Sequence, residues 1–443
     1  MYGDSILGLP VRLCQCACAR CCGSVWPPSN VAVPHFDTTP ANRLEFIISP
    51  IRFLEVPVMR FRFSDEEEAF RRELREFLQK EITPELMEEA ETGLGWGPHT
   101  WEFVRKLGSK GYLTPTWPKE YGGLGLPPIY RFIVHEELDY TGALPPEALV
   151  VGANVAGPTI MLYGSEEQKR EYLPRIARGE IEFALGYSEP QAGSDLANVQ
   201  LRAEEKDDGF VLNGQKVFNT RCHFAQYHWL VVRTDPNVPK HRGISLMIVD
   251  LSSPGISLRP LWGVDGIRTN EVFYDNVFVP RKNLVGEKNR GFYYTVTALE
   301  YERVLTVGGL NRTFEALVNY VKQVPRLRAD QLVRQKISQI ATEIEIGRIF
   351  SYRLAWLQTK RIATTYEASA SKLFSSELSQ RLASTGMEIL GLRGLVQKGS
   401  RWAPVDGKIE YLCRETLLNT IAGGTSEVMR NIIATRGLEL PRG

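Results

Sequence analysis

The sequence predicts a multidomain α+β protein with an N-terminal helical domain, a middle β-barrel and a C-terminal four-helix bundle. Three observations predict it: helical periodicity over 59–182, short apolar runs between turn signals over 183–290, and long helical segments over 291–443. A length of 443 residues suits about three domains. The α–β–α order is informative, because few soluble proteins insert one compact β-domain between two helical ones.

Residues 1–58 differ from the rest of the sequence. Their prolines and weak periodicity predict a disordered N-terminal extension, with Met59 opening the folded protein. Cys18 and Cys21 form a CxxC pair, but no second pair lies at the spacing of a zinc site, so no metal is predicted. The segment resembles neither a secretory signal nor a mitochondrial presequence. Cysteine usage elsewhere favours a reducing, cytoplasmic environment.

The first domain is predicted to be helical. Ser64 and Glu67 have the spacing of a capping box, and apolar residues then recur at helical spacing until Pro84 ends the run. Ser165 with Gln168 predicts a second capped helix. Glycine- and proline-rich loops lie between these two helices.

The middle and last domains follow from their apolar patterns. In the middle domain, apolar runs such as 229–232 and 272–279 are separated by turn signals such as Asn213-Gly214, which is the pattern of strands. Four long helices with short connections make a bundle. The helical segments of the last domain are predicted near 292–323, 330–362, 366–390 and 412–436.

Charge and motif content exclude several classes of function. A net charge of +1 gives no basic patch, so nucleic acid is not a predicted partner. No run approaches the ~20 apolar residues of a membrane span, so stable membrane insertion is not predicted. The sequence has no GxGxxG after a strand, no GxxxxGK[ST], no HExxH and no GxSxG. Rossmann, P-loop, zinc-protease and hydrolase-elbow sites are therefore not supported.

Two loops have the composition of ligand-binding segments. The first, 187–195, follows a predicted strand and offers hydroxyl and backbone N–H groups to an anionic or carbonyl-rich ligand. The second, 420–427, has two glycines that allow close approach, and Thr425 caps the helix that follows. Taken alone, each loop is better explained as an ordinary turn, a domain crossing in the first case and a helix break in the second.

Further short motifs occur in a fixed order along the chain. They are Trp-Pro-Lys-Glu-Tyr-Gly-Gly at 117–123, Tyr-Gly-Ser-Glu-Glu-Gln-Lys at 163–169, Glu-Pro-x-Ala-Gly-Ser-Asp at 189–195, Leu-Asn-Gly-Gln-Lys at 212–216, Phe-Tyr-Asp-Asn-Val-Phe-Val-Pro at 273–280 and Gly-Gly-Thr-Ser-Glu at 423–427. With these motifs in this order, the sequence after Met59 resembles the acyl-CoA dehydrogenase family over its whole length.

The resemblance implies an FAD-dependent enzyme that desaturates an acyl-CoA thioester between Cα and Cβ. It places FAD between the β-domain and the bundle, and implies an electron-transfer flavoprotein as acceptor and a homo-oligomer, a dimer or tetramer. The thioester oxygen accepts from a backbone N–H and a ribityl hydroxyl in this family. The implied flavin-binding residues are Tyr187, Ser188, Gly193, Phe218, Thr220, Thr425 and Glu427, and Ser194 is assigned to the substrate.

The resemblance also implies where the catalytic base lies. Many members carry it as a glutamate before the Gly-Thr of the terminal turn, but this sequence has Gly423 there, which can offer only its N–H. A minority place it on a bundle helix directly before an arginine, as Glu302 stands before Arg303. Glu302 is therefore the predicted base, and Arg303 is expected near the thioester arm. Two alternatives stay open: Glu302 as an ion-paired bundle residue, and Glu300, about 200° away on a helix, as its rival.

Three features depart from the family's commonest pattern. Phe218 replaces a tryptophan, Asn219 replaces an apolar residue, and 324–328 stand where an Arg-x-x-Phe-Gly segment is frequent. That segment contacts the neighbouring subunit's FAD in relatives, so a heteromer with a partner dehydrogenase chain stays open. A flavin oxidase or monooxygenase and a non-catalytic flavin-bearing subunit are further alternatives. The acyl group, from straight-chain to steroid side chain, is not fixed by the sequence.

Overall fold

The structure is a computed structural model in which residues 62–92, 96–144, 151–302, 306–362 and 364–441 are described, with 298–302 described as backbone only. The predicted N-terminal extension, its cysteine cluster and Met59 lie outside the described residues. Within the described ranges, no helix is long and apolar enough to cross a membrane.

The predicted N-terminal helical domain is confirmed. Its first helix begins at the predicted capping box, in which Glu67 N–H donates to Ser64 Oγ over 3.2 Å and Ser64 N–H donates to Glu67 Oε2 over 2.7 Å. Pro84 opens the next helix, since proline at the first helical position needs no N–H partner. The helices are α1 (Asp65–Glu81), α2 (Pro84–Glu91), α3 (Pro98–Ser109), α4 (Pro128–Thr141), α5 (Gly157–Tyr163) and α6 (Glu166–Ala177).

The middle domain is a curled sheet of seven strands. The order of hydrogen-bonded strands is β1-β4-β2-β3-β7-β6, and β5 pairs with β4. β1 runs parallel to β4, whereas β3 with β7 and β4 with β5 are antiparallel. The strands are β1 (Phe183–Gly186), β2 (Arg202–Lys206), β3 (Gly209–Lys216), β4 (Tyr227–Arg233), β5 (Ile244–Asp250), β6 (Ile256–Trp262) and β7 (Arg268–Pro280).

Because the sheet is curled, the side chains on its inner face pack against one another and form a core. Side chains from β2, β3, β4, β5 and β7 pack into one cluster there, which includes Ala203, Phe210, Leu230, Met247 and Val277. Among the described strands, no pairing joins β6 to β1 or β5, so hydrogen bonds do not close the sheet into a complete ring. The alternation of buried and exposed residues along β7 predicts this one-sided core.

The C-terminal domain is the predicted helical bundle. Four of its helices share one core, to which Leu317, Ile344, Leu378 and Ile409 each contribute from a different helix. Side chains from facing helices fill such a core in every four-helix bundle. The helices are α7 (Gly291–Glu302), α8 (Gly308–Gln323), α9 (Pro325–Ala329), α10 (Gln331–Thr359), α11 (Thr365–Leu390), α12 (Lys408–Asn419) and α13 (Ser426–Ile432).

The predicted helical segment 292–323 is wrong as a single helix. α7 ends at Glu302, Thr306 and Val307 are not helical, and α8 begins at Gly308. Asp139 of α4 explains the second start, because its buried carboxylate accepts from Thr306 Oγ1 over 2.6 Å and from the first N–H groups of α8. These N–H groups have no partner within the helix, so an acceptor there stabilises a helix start.

Candidate active site

The first predicted loop, 187–195, is held by a buried ion pair. Glu189 is 4% exposed, and its carboxylate accepts from Lys216 Nζ over 2.8 Å and from Leu201 N–H over 2.9 Å. Lys216 is fully buried and also donates to the carbonyl of Tyr187 over 3.1 Å. Burial lowers the pKa of Lys216 to about 8, and the negative charge of Glu189 opposes that shift. The end of β3 therefore fixes the loop that follows β1.

The predicted residues of this loop lie in two environments. Tyr187 and Ser188 are half-buried, and Tyr187 packs against the N-terminal core. Gly193 and Ser194 are exposed, and a Cβ built on Gly193 would meet no atom within 4 Å. The loop tip is thus a fixed backbone turn with open space beside it, which suits a ligand that lies against the chain.

The segment 218–220 lies beside this loop. Val217 N–H donates to the carbonyl of Ser188 over 3.0 Å. Phe218 has a φ of 58° and is 65% exposed, and Thr220 is exposed as well. A large apolar side chain in the left-handed region is rare, and such conformations cluster at ligand sites. The exposed ring therefore leaves an apolar surface next to the loop 187–195.

Asn219 anchors this segment from within. It is 1% exposed, and its Nδ2 donates to the carbonyls of Leu185 and Val217 over 3.0 and 3.1 Å. Its backbone N–H donates to Asn270 O, and Asn270 Nδ2 donates back to its carbonyl, both over 2.9 Å. The sequence identified Asn219 as a departure but not as an anchor, because two of its partners, Leu185 and Asn270, lie on strands distant in sequence.

The second predicted loop joins α12 to α13 through two left-handed glycines. Gly423 has a φ of 66° and Gly424 a φ of 102°, which residues with side chains rarely adopt. Among the described residues, no hydrogen bond uses the N–H of either glycine. Thr425 caps α13 by accepting from Val428 N–H over 3.2 Å. Glu427 is exposed, and hydrogen bonds from its own N–H and then from Thr425 lower its pKa.

Two residues of α11 that the sequence analysis missed support this turn. Lys372 Nζ donates to the carbonyl of Gly424 over 2.6 Å. Gln380 Nε2 donates to the carbonyl of Thr416 and to Thr420 Oγ1, each over 3.2 Å. The one available signal was a long polar side chain among small and apolar residues on the buried face of the helix.

The predicted base lies at the C-terminal end of α7. Glu302 is the last residue of this helix, and the side chains of Glu302 and Glu300 lie outside the described residues, as does Arg303. The start of the helix is firmly packed, because the ring of Tyr294 stacks on that of Tyr163 with centroids 4.2 Å apart. Asp139 holds the chain that follows, so both flanks of the predicted base are fixed to the N-terminal domain.

Apart from Glu302 and Arg303, the structure groups the predicted residues into two sets. One set, 187–194 with 218–220, belongs to the β-domain, and the other, 423–427, belongs to the bundle. The two domains touch where Arg414 of α12 donates to the carbonyl of Val264, between β6 and β7, over 2.9 Å. The helix whose end carries the glycine turn is thereby tied to the β-domain. No cluster of His, Cys, Asp or Glu suited to a metal ion occurs in the described part of the chain.

Comparison with known proteins gives matches along nearly all of the described chain. Residues 64–180 match the acyl-CoA dehydrogenase N-terminal domain, 184–277 the middle domain and 289–438 the C-terminal domain. Acyl-CoA dehydrogenase FadE26 of Mycobacterium tuberculosis is 36% identical over 400 residues, which cover 87% of this chain and 99% of that protein.

Solved structures agree with the sequence matches. A chain of the "Tcur3481-Tcur3483 steroid ACAD" superposes with a TM-score of 0.81 at 36% identity, covering 87% of this chain and 100% of that one. A chain of the ChsE4-ChsE5 complex from Mycobacterium tuberculosis gives a TM-score of 0.79 at 36% identity, with the same coverage. Each of the three domains matches its family model in the expected order, and the relatives match over nearly their whole length. The chain therefore belongs to the acyl-CoA dehydrogenase family of oxidoreductases.

Proposed function

We propose that this protein catalyses the FAD-dependent α,β-dehydrogenation of an acyl-CoA thioester to a trans-2-enoyl-CoA, with Glu302 as the base. An electron-transfer flavoprotein is the proposed acceptor of the electrons. The observation that carries the proposal is the turn of Gly423 and Gly424, whose two N–H groups have no hydrogen-bond partner among the described residues. Acyl-CoA chemistry needs such donors at the thioester oxygen.

The residues present fit a flavin. The exposed ring of Phe218 supplies an apolar surface, and the open side of Gly193 admits a flat group close to the backbone. The hydroxyls of Ser194 and Thr220 are exposed and suit polar ligand atoms. A flavin held by these residues would supply the acceptor for the hydride that leaves the substrate's Cβ. Thr425 and Glu427 are proposed to contact the cofactor from the bundle.

In the proposed reaction, Glu302 takes the proton from Cα of the substrate. That proton is weakly acidic, so negative charge that develops at the thioester oxygen must be stabilised. The N–H of Gly423 is proposed to donate to this oxygen, and a donor of this kind is worth about 10²–10³ in rate. Arg303 is proposed to bind the thioester arm, with Tyr187 and Ser188 lining the flavin.

The choice of Glu302 over its rivals is supported by the helix period and by the residue that follows it in the sequence. Glu302 and Glu300 belong to one helix and differ by about 200° in direction, so one of them at most faces the substrate. Gly423 has no side chain to take a proton. Glu302 also directly precedes Arg303, the pattern of members whose base lies on a bundle helix.

Replacement of Glu302 by glutamine tests the base. The amide keeps the side-chain volume and removes the proton acceptor, and general-base catalysis contributes about 10²–10⁴ in rate. We expect a folded, yellow protein whose flavin is reduced by acyl-CoA at least ~100-fold more slowly under anaerobic conditions. Glu300→Gln is the matched control and should retain its rate. A Glu302→Gln protein that is reduced at the wild-type rate contradicts the assignment.

The relatives support a finer proposal on substrate and assembly. One is described as a "steroid ACAD", and both solved structures name two polypeptides. We therefore propose a bulky, steroid-bearing acyl-CoA and a heteromer with a second chain of this fold. Arg326 and Arg328 of the short α9 are exposed, and the family resemblance implies a contact with a neighbouring subunit at this place. Flavin bleaching by a panel of acyl-CoAs tests the proposed substrate. Native mass spectrometry after co-expression with the second chain tests the proposed heteromer.

A further inference from the structure

A buried lysine of the bundle contacts both ends of the glycine turn. Lys372 lies on α11 and is 7% exposed. Its Nζ donates to the carbonyl of Asn419 over 3.0 Å and to the carbonyl of Gly424 over 2.6 Å. Asn419 is the last residue of α12, and Gly424 is the second glycine of the turn. One ammonium group therefore spans the connection 420–423.

Both contacts are of a strong kind. The last carbonyls of a helix have no partner within the helix, and a cation there also interacts favourably with the helix dipole. Hydrogen bonds from a charged donor are stronger than those between neutral groups. Lys372 satisfies such a carbonyl at the end of α12, and with the same atom it holds Gly424.

The turn depends on support from outside. Gly423 and Gly424 have the largest backbone freedom of any residue type, and a Cβ built on Gly423 would meet no atom within 4 Å. The far side of Gly424 packs on Met429, whose Cε would lie 2.5 Å from a Cβ there. The direction of the Gly423 N–H is thus determined by the groups that hold the carbonyl of Gly424 and the end of α12.

We propose that Lys372 is a positioning residue for the reaction, which holds the glycine turn so that the Gly423 N–H points at the thioester oxygen. The inference rests on the proposed function, since that function assigns the N–H its role. A donor displaced by about 1 Å costs up to ~10² in rate. In this role Lys372 acts through the turn, by way of the carbonyls of Asn419 and Gly424.

The test compares Lys372→Met with the wild type as full-length, flavin-loaded protein. Methionine keeps the apolar stem and removes the ammonium. We expect faster amide hydrogen exchange across 420–425 and a ~10–100-fold lower rate constant for flavin reduction by acyl-CoA. Flavin occupancy and the apparent Kd for acyl-CoA should change much less, because a misplaced transition-state donor lowers the rate more than ground-state binding.

Lys336→Met is the matched control, because Lys336 is a half-exposed lysine of α10 whose ion-pair partner is Glu388 of α11 and not the turn. It should leave exchange at 420–425 and the reduction rate unchanged. Lys372→Arg retains the charge and its donors and should recover most of the lost rate. Lys372→Gln, which keeps a polar head, replaces the methionine variant if that protein does not fold.

Wild-type exchange and wild-type reduction in Lys372→Met would overturn the inference. Faster amide exchange with an unchanged rate of flavin reduction would also overturn the inference, because Lys372 would then support the turn without affecting the reaction. If no acyl-CoA reduces the flavin of the wild type, the proposed function fails and the catalytic part of the inference fails with it. The exchange measurement then still decides whether Lys372 holds the turn.

Discussion

The carboxyl group of Glu182 should make the stability of this protein depend on pH. Glu182 directly precedes β1 and is fully buried. Its Oε1 accepts from the N–H groups of Gly152 and Phe183, each over 2.9 Å. Burial raises its pKa from 4.5 to about 7, although the positive charge of Arg221 and these N–H groups oppose the rise.

The direction of the effect follows from proton binding. Between pH 4.5 and about 7, the folded protein keeps a proton on Glu182 that the unfolded chain has lost. The stabilisation from this proton is fully present below pH 4.5 and is lost as the pH rises through 7. A difference between 4.5 and about 7 corresponds to ~3 kcal/mol. Above pH 8 the folded protein therefore carries a buried, ionised carboxylate at that cost.

Glu182→Gln removes the titration and keeps the shape of the side chain. Relative to the wild type, the variant should gain ~3 kcal/mol in stability between pH 5 and pH 8. With an unfolding entropy of ~2.1 cal/mol/K per residue over the ordered chain, this gain in the free energy of unfolding corresponds to a rise of ~4 °C in Tm. Differential scanning calorimetry of both holoproteins at several pH values measures it. Glu166→Gln is the control, since that carboxylate is 74% exposed. Parallel Tm curves for Glu182→Gln and the wild type would refute the reasoning.

Two further substitutions test how the site is held. Lys216→Met should lower the free energy of unfolding by about 3–5 kcal/mol, because Glu189 is left as an unpaired buried charge. In thermal unfolding, the double variant Lys216→Met/Glu189→Leu should recover much of the lost stability. Equal losses in the single and the double variant would contradict the argument. Gly308→Ala should cost about 1–3 kcal/mol, because its Cβ would lie 2.6 Å from the carbonyl oxygen of Glu136. Gly193→Ala, with no atom within 4 Å, should leave Tm nearly unchanged, and similar Tm values for the two alanine variants would count against this packing.

Features that depend on neighbouring residues were predictable from the sequence. The capping boxes at Ser64 and Ser165 form as their spacing predicts, because donor and acceptor lie three residues apart. The N-cap role of Thr425 is confirmed for the same reason. The middle domain was predictable because turn signals separate its apolar runs, and a one-sided core requires alternating burial.

Features that depend on distant residues were not predictable. Glu189 and Lys216 are 27 residues apart, and Lys372 and Gly424 are 52 apart, so no local pattern reports either contact. The break between α7 and α8 depends on Asp139, which is 167 residues before Thr306. The helical spacing of apolar residues continues across that break. This spacing indicates which face of a helix is buried, but it does not indicate where a carbonyl or carboxylate ends one helix and starts the next.

The glycine at 423 agrees with a base on α7. Open space beside Gly423 means that packing does not forbid a side chain there. Two carboxylates facing one Cα would raise the pKa of one of them, which would then hold a proton and lose its use as a base. Glycine instead adopts the φ of 66° without steric cost and leaves the N–H as its contribution. On this proposal, the base and the oxyanion donor come from different helix ends, and each is held by its own buried polar side chain, Asp139 for the one and Lys372 for the other.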